Sequence, residues 1–224
     1  MMAEASLGQK SVVEALGAFL LTFIGAGSII ATQGNQLIVI ALAHGIALSI
    51  AVSAAMNISG GHINPAVTIA MLATKKISAP HALVYIISQL VGAIIAGALL
   101  MVLYPAAMGN LVHWGTPGLG PDTSVAQGIL FEAVLTFILV FAIFGTAVDP
   151  RHPKIGGFGI GLAIGIDIMA GGPFTGAAMN PARAIGPAIA SGTFANWYVY
   201  WIGPILGAVI AALLYNYVIL KNQN

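Results

Sequence analysis

Two identical triplets, Asn64-Pro65-Ala66 and Asn180-Pro181-Ala182, lie 116 residues apart. In each, Pro stands where a helix would begin, a position at which its missing N–H is no loss. The preceding Asn brings an amide with two N–H donors and one carbonyl acceptor. A helix N-terminus adds unpaired backbone N–H groups and roughly half a positive charge. Two such termini facing one another would repel cations, protons included, while offering a neutral hydrogen-bonding molecule something to hold. A single Asn-Pro is as readily a plain helix start; a second at a repeat offset points to a site. Arg183 follows three residues after Asn180, about one turn into the second element. In apolar surroundings its guanidinium needs acceptors, so it either lines a path or pairs with an acid such as Glu132. Glu14 and Glu132, 118 residues apart, are either members of a proton relay or acceptors for backbone N–H groups of a loop. Asp167 is a third acid in apolar sequence, placed either to anchor the loop between spans three and four or to lower the positive field near Arg183.

Other chemistry is excluded by the same inventory. No His pair at helical spacing, Ser–His arrangement or nucleophile with a base suggests an intramembrane enzyme. The chain has no cysteine, hence neither disulfides nor thiolate metal sites. His62 directly precedes Ile63-Asn64 and belongs near a cytoplasmic vestibule. His113, with Trp114 and Thr116, belongs to a long outer loop that folds over the mouth, and His81 and His152 to cytoplasmic loops. None has a partner at metal-ligand spacing, so neither metal nor cofactor is expected.

The elements that must position these residues follow from composition. Of 224 residues, seven are Lys or Arg, six are Asp or Glu, and 59% are apolar. A soluble chain would carry about a quarter charged residues. No Asp, Glu, Lys or Arg lies between Glu14 and Lys75 or between Lys76 and Asp122. That excludes a soluble enzyme, a nucleic-acid binder and a disordered chain. The pattern is that of an integral, multi-pass, all-α membrane protein. Six spans are predicted at 11–32, 38–58, 80–104, 125–148, 155–171 and 196–219, each near the roughly 20 residues that a crossing needs. The first is read as a span rather than a cleaved signal. Two further apolar segments, 64–74 and 180–191, reach about half of a hydrocarbon core of about 30 Å. They read as half-helices, each entered through a Gly-containing loop: Ser59-Gly60-Gly61-His62 and Thr175-Gly176-Ala177-Ala178.

The chain also repeats itself. Gly92-Ala93-Ile94-Ile95-Ala96 recurs as Gly207-Ala208-Val209-Ile210-Ala211, 115 residues on. Each copy holds three spans, and an odd number reverses the second copy. One transmembrane domain over residues 1–224 is therefore expected, built from inverted repeats at about 8–104 and 124–219. Inverted halves with a broken helix in each point to a substrate path at the midplane. Lys10, Lys75, Lys76, Arg151, Lys154 and Lys221 all fall on one side, which the positive-inside rule makes cytoplasmic, with both termini. Gly157, Gly161 and Gly165 on span five, and Gly203 and Gly207 on span six, are spaced for close helix contact.

The stretches from Ser59 through Asn64-Pro65-Ala66 to Thr68 and from Thr175 through Asn180-Pro181-Ala182 to Arg183 resemble the two signature loops of the major intrinsic protein family, the aquaporins and glycerol facilitators. The resemblance covers essentially the whole chain. It implies six tilted helices plus two re-entrant half-helices, assembled as a homotetramer in the lipid bilayer with one pore per subunit. Carbonyls of Gly60, Gly61 and His62, then of Gly176, Ala177 and Ala178, would line the pore, and Glu14 and Glu132 would support the loops. Arg183 would belong to the outer constriction. Counting from the triplets, as the resemblance allows, completes that constriction with His44, Ile168 and Ala177.

This set departs from the strict water-channel pattern of Phe on the second span and His on the fifth. It resembles the filter of plant tonoplast aquaporins, as does Gly171-Gly172-Pro173-Phe174-Thr175-Gly176. His44 would serve as a donor or acceptor on the pore wall; the plainer alternative is a packing His bonded to a carbonyl. The function so implied is passive permeation of water, with ammonia, urea or hydrogen peroxide as further neutral permeants and with protons and ions excluded. A glycerol facilitator is the nearest alternative. Its members carry Asp after the filter Arg and a basic residue a turn later, where this chain has Ala184 and Ala188; Tyr200-Trp201 also follows the water type. A proton-coupled small-solute transporter is the more distant alternative. The inner or plasma membrane is the expected location, with no nucleic-acid partner.

Overall fold

A serine that caps its own helix opens each half of the chain. In a computed structural model, which describes residues 5–151 and 153–220, Ser6 accepts from Gln9 N–H while the Gln9 side chain accepts from Ser6 N–H. Ser124 and Gln127 do the same 118 residues later. This reciprocal box satisfies N–H groups that a helix start leaves unpaired. The helices in chain order are α1 (Leu7–Thr32), α2 (Leu37–Ala55), α3 (Pro65–Ala73), α4 (Ala79–Leu103), α5 (Ala106–Leu111), α6 (Val125–Ile143), α7 (Phe158–Thr175), α8 (Pro181–Ser191) and α9 (Val199–Leu214). A short 3-10 turn covers His113–Gly115, and π turns continue α6 to Val148 and α9 to Ile219.

Six helices, with their π extensions, are long and apolar enough to cross a membrane; α5 is one short piece of the α4–α6 connection, and α3 and α8 are the two short helices that start at the Asn-Pro triplets. Both short helices have Asn as N-cap and Pro at the first position. Two predicted boundaries are corrected. The second span ends at Ala55, where Ile58 and Ser59 N–H both turn back onto the Ala55 carbonyl. The fifth runs to Thr175 rather than stopping near Gly171, because Gly172 and Pro173 stay helical and Gly176, at φ 77°, makes the left-handed stop. His152 and Lys221 lie outside the described residues.

Glycine sets the helix contacts. A Cβ on Gly92 of α4 would overlap the Ala15 carbonyl of α1, and one on Gly207 of α9 would overlap the Ala133 carbonyl of α6. The α1–α4 and α6–α9 pairs are thus closed by the same device, as the repeat requires. Gly157, the N-cap of α7, faces the Ser49 carbonyl of α2, and on α7 itself Gly161 meets Gly45 and Ser49 and Gly165 faces Ala41. Small residues with no Cβ permit this approach where lipid supplies no hydrophobic drive between helices. The main core gathers α1, α2, α3, α6, α7 and α9 around Ile63, Met71, Leu139, Phe144 and Met179.

The α4–α6 connection is folded rather than loose. Trp114 is buried with Ala26, Ile30 and Leu100, and its indole N–H donates to Asn110 Oδ1 at 2.9 Å. Gly109 packs flat on that ring. At the opposite end, Asp149 follows the π turn of α6 and holds Arg151 in a side-chain ion pair, while Tyr215 O–H of α9 donates to Asp149 at 3.2 Å. The Arg151 guanidinium keeps the Asp149 carboxyl well below the usual carboxylate range.

Candidate functional site

The two half-helix caps meet. Asn64 Nδ2 donates to the Met179 carbonyl at 2.8 Å, and Asn180 Nδ2 donates to the Ile63 carbonyl at 3.1 Å. Each Asn Oδ1 accepts from its own helix start: Ala66 N–H for Asn64, Ala182 and Arg183 N–H for Asn180. An amide nitrogen carries two hydrogens, so each Asn keeps a second N–H. Both asparagines line one narrow cavity, walled by apolar side chains that include Leu21, Leu48, Leu139 and Ile164. Its free volume of about 10 Å3 is room for about one water. It shares the walls of Gly61, His62, Val67, Ile143 and Ile160 with a vestibule of about 330 Å3 at the Lys76 end. Gly60 lines that vestibule too, and Lys76 sits there with its ammonium 5.8 Å from the centre of the Phe144 ring.

The loops leading to the asparagines are held from behind by acids. Glu14, fully buried, accepts from Ser59 Oγ at 2.7 Å, His62 N–H at 2.9 Å, Ile63 N–H at 2.6 Å and Gln89 Nε2 at 2.7 Å. Glu132, equally buried, accepts from Thr175 Oγ1 at 2.8 Å, Ala178 N–H at 2.9 Å and Met179 N–H at 2.7 Å. These bonds fix Ile63 and Met179 at φ 59° and 51°, a left-handed conformation that a β-branched residue such as Ile63 adopts only when its surroundings impose it. Tyr85 O–H donates to the Ser59 carbonyl at 2.8 Å, and Tyr200 O–H to the Thr175 carbonyl at 2.9 Å. The loop hydroxyls also match: Ser59 Oγ accepts from Gly61 N–H and Thr175 Oγ1 from Ala177 N–H.

None of Tyr85, Tyr200, Ser59 and Thr175 was singled out by sequence reasoning as an anchor, although Tyr85 and Tyr200 stand 115 apart and Ser59 and Thr175 stand 116 apart, the offsets of the repeat. The match breaks at Gln89, which bridges Glu14 to Thr68, whose hydroxyl also approaches His62 Nδ1 at 3.2 Å. The corresponding place in the other half is Pro204.

On the other side of the asparagines lies Arg183, 1% exposed. Its Nη1 donates to the Gly115 carbonyl at 3.0 Å, and its Nε and Nη2 lie 3.3 and 3.2 Å from His44 Nε2. His44 Nδ1 is 2.8 Å from the Ile40 carbonyl. A carbonyl only accepts, so the proton is on Nδ1 and Nε2 accepts from Arg183. Both ring nitrogens are therefore engaged: His44 makes the carbonyl bond of the plainer alternative and also supports the arginine. Gly25 of α1 makes room for the ring. Among the described residues Arg183 forms no ion pair with Glu132. Ile168 and Ala177 are both 2% exposed, on α7 and the second loop. Gly115 was not foreseen: a backbone carbonyl in an irregular loop leaves no signal in side-chain types. Asp167 is buried beside Ile168, with its Oδ2 lacking a hydrogen-bond partner among the described residues. His113 adjoins buried Trp114 in that outer turn, and no group of His, Asp and Glu among the described residues could hold a metal ion.

Six helices long and apolar enough to cross a membrane, around two half-helices capped head to head on a narrow cavity, define a multi-pass membrane protein with a polar site at its centre. The description of the major intrinsic protein family matches residues 1–215. The chain is 42% identical to "Aquaporin TIP4-4" of Zea mays over 95% of its own length and 87% of that protein's. It is 41% identical to "Probable aquaporin TIP3-2" of Arabidopsis thaliana, covering 96% and 85%. In three dimensions it is similar to the aquaglyceroporin from Plasmodium falciparum, with a TM-score of 0.83, 26% identity, and 96% and 98% of the two chains covered. The chain belongs to the major intrinsic protein family.

Proposed function

We propose that this protein is a passive water channel that excludes protons and other ions, with ammonia among further neutral permeants. The observation that carries this reading is the pair of Asn caps, each spending one N–H on the opposite loop and retaining another at a cavity one water wide. A water passing there exchanges bulk hydrogen bonds for fixed donors, while two half-helix N-termini oppose any cation. Carbonyls of Gly60, Gly61 and His62 on one side and of Gly176, Ala177 and Ala178 on the other are the acceptors of the file, kept in place by Glu14 and Glu132. The outer constriction consists of His44, Ile168, Ala177 and Arg183, with His44 and Gly115 orienting the guanidinium. Water is favoured over glycerol because Ala184 and Ala188 stand where glycerol facilitators carry polar residues; the names of the two plant relatives agree.

The chain is read as one domain of two inverted halves, assembled as a homotetramer. Both termini are placed on the cytoplasmic side by Lys10, Lys75, Lys76, Arg151 and Lys154, and the inner or plasma membrane is the proposed location. Stopped-flow light scattering on proteoliposomes tests the function. Shrinkage after an osmotic step should be much faster than in empty liposomes, with a low activation energy and no dependence on a pH gradient. Shrinkage at the empty-liposome rate would refute the water-channel reading, and flux that follows the pH gradient would favour a proton-coupled carrier.

A further inference from the structure

The Gly115 carbonyl that accepts from Arg183 Nη1 is presented by a strained turn. His113, Trp114 and Gly115 stand at φ 47°, 55° and 76°, three consecutive residues in the left-handed region. Gly115 N–H donates to the Val112 carbonyl and Thr116 N–H to the His113 carbonyl, both at 2.9 Å. Those bonds close the turn and leave its last carbonyl, that of Gly115, for the guanidinium. Left-handed backbone crowds Cβ against the following carbonyl, so residues other than glycine visit it singly rather than in runs. Such a conformation persists only where its surroundings over-determine it, and it clusters where function needs a fixed geometry.

The surroundings here converge on Trp114. Its side chain is 4% exposed and is buried with Ala26 and Ile30 of α1 and Leu100 of α4. The indole N–H donates to Asn110 Oδ1 at 2.9 Å, which fixes the rotation of the ring as well as its place. Gly109 leaves the space that the ring fills, since a Cβ there would overlap it. Gly115 lies so close to Ala26 that a Cβ on it would overlap that residue too. On the other side, the Thr116 hydroxyl is 3.2 Å from that of Ser191, the last residue of α8, which is the helix that carries Arg183. Among the described residues the guanidinium has one other acceptor, His44 Nε2. With the Gly115 carbonyl displaced, it would be held on the imidazole side alone and could pivot there.

We propose that Trp114 is a positioning residue of the outer constriction: anchored against α1 and α4, it holds the left-handed turn whose Gly115 carbonyl fixes the Arg183 guanidinium, and so keeps the constriction too narrow for polyols such as glycerol. The inference rests on the water-channel reading and deepens it. Trp114 acts on the permeant only through Arg183, so its effect belongs to selectivity and vanishes when the guanidinium is absent.

The test compares wild type, Trp114→Leu and Trp114→Phe in proteoliposomes, and repeats Trp114→Leu in an Arg183→Val background. Water permeability is measured by shrinkage in an impermeant sugar and glycerol permeability by re-swelling after a glycerol step. The readout is the ratio of glycerol to water permeability, since a merely structural residue would lower both together. In Trp114→Leu the ratio should rise roughly tenfold, the order expected for one hydrogen bond to a charged group. In Trp114→Phe, which keeps a buried ring and loses the indole N–H, it should rise by about threefold. With Arg183→Val already present, Trp114→Leu should change it by less than about twofold, because the two act as one unit. An unchanged or lowered ratio in a Leu variant that still conducts water overturns the proposal, and so does a rise of the same size in the Arg183→Val background. Where the Leu variant conducts nothing, an unchanged ratio in the Phe variant overturns it. Absence of water flux in the wild type would instead refute the reading on which it rests.

Discussion

Arg183 shows how a buried charge is made tolerable by neighbours that only accept. Its guanidinium reaches one carbonyl and one imidazole nitrogen, so hydrogen bonds are satisfied while the positive charge stays uncancelled by any direct carboxylate. The consequence is a cation barrier at the constriction. A unit charge about 4 Å away is worth about 4 kcal/mol at an effective dielectric of 20. Arg183→Val should therefore keep osmotic water flux within a few-fold while raising proton leak by roughly tenfold or more, read from an internal pH dye under a fixed pH gradient. An unaltered leak would place the barrier wholly at the half-helix termini. The sequence made Arg183 legible because a guanidinium in apolar sequence demands an explanation. Its partners were less so. Gly115 contributes only backbone, and His44 could be located by counting yet not oriented, because the bond to Ile40 is a matter of ring rotation rather than residue type.

At the scale of the helix, glycine spacing was readable and its consequences were not uniform. Gly157, Gly161 and Gly165 form one row against α2, but the space at each differs. A Cβ on Gly161 would overlap Ser49 Oγ and the Gly45 carbonyl, whereas one on Gly165 would lie 3.6 Å from the Ala41 carbonyl, an ordinary contact. Gly161→Ala should cost about 1–3 kcal/mol through forced separation of α2 and α7, and Gly165→Ala should be near neutral or gain the roughly 0.5–1 kcal/mol of helix preference. Denaturant unfolding in detergent would separate the two. The spacing showed which face packs; only the register of α2 against α7 decides where a methyl fits. The α7 terminus was misjudged for a related reason, since Gly172-Pro173 reads as a stop although a final turn tolerates both.

The α6 and α9 ends are joined by a second kind of contact that spacing could not reveal, the Asp149–Arg151 pair with the Tyr215 hydroxyl. Asp149 has its pKa depressed, chiefly by the Arg151 hydrogen bond. A depressed carboxylate contributes stability that is present above its unfolded value of about 3.9 and is lost as pH falls through the folded value. Asp149→Asn should thus lower the melting temperature by a few degrees at neutral pH. That difference should shrink only below about pH 4, with none of the change between pH 5 and 8. Melting curves of the two proteins across pH would show a constant gap there; a gap that closes near pH 6 would assign the effect to another group.

The whole molecule is two copies of one solution, and its symmetry is the part most fully written in the sequence. The triplets, the two glutamates, the capping serines and the Gly-Ala motifs all recur at offsets of 115 to 118 residues. Tyr85 and Tyr200 recur likewise and hold corresponding carbonyls of the two loops. What the sequence withheld is how independent the copies are, because the reciprocal Asn bonds cross between them. Each Tyr→Phe change leaves one loop carbonyl without its donor and should cost about 1 kcal/mol. Tyr85→Phe and Tyr200→Phe share no partner, so the double variant should lose the sum within about 0.5 kcal/mol. Equilibrium unfolding of the two single variants and the double variant measures this. A double variant less destabilised than the sum would mean that releasing one loop already loosens the other through Asn64 and Asn180. The midplane contact would then be the element that makes two half-channels fold as one.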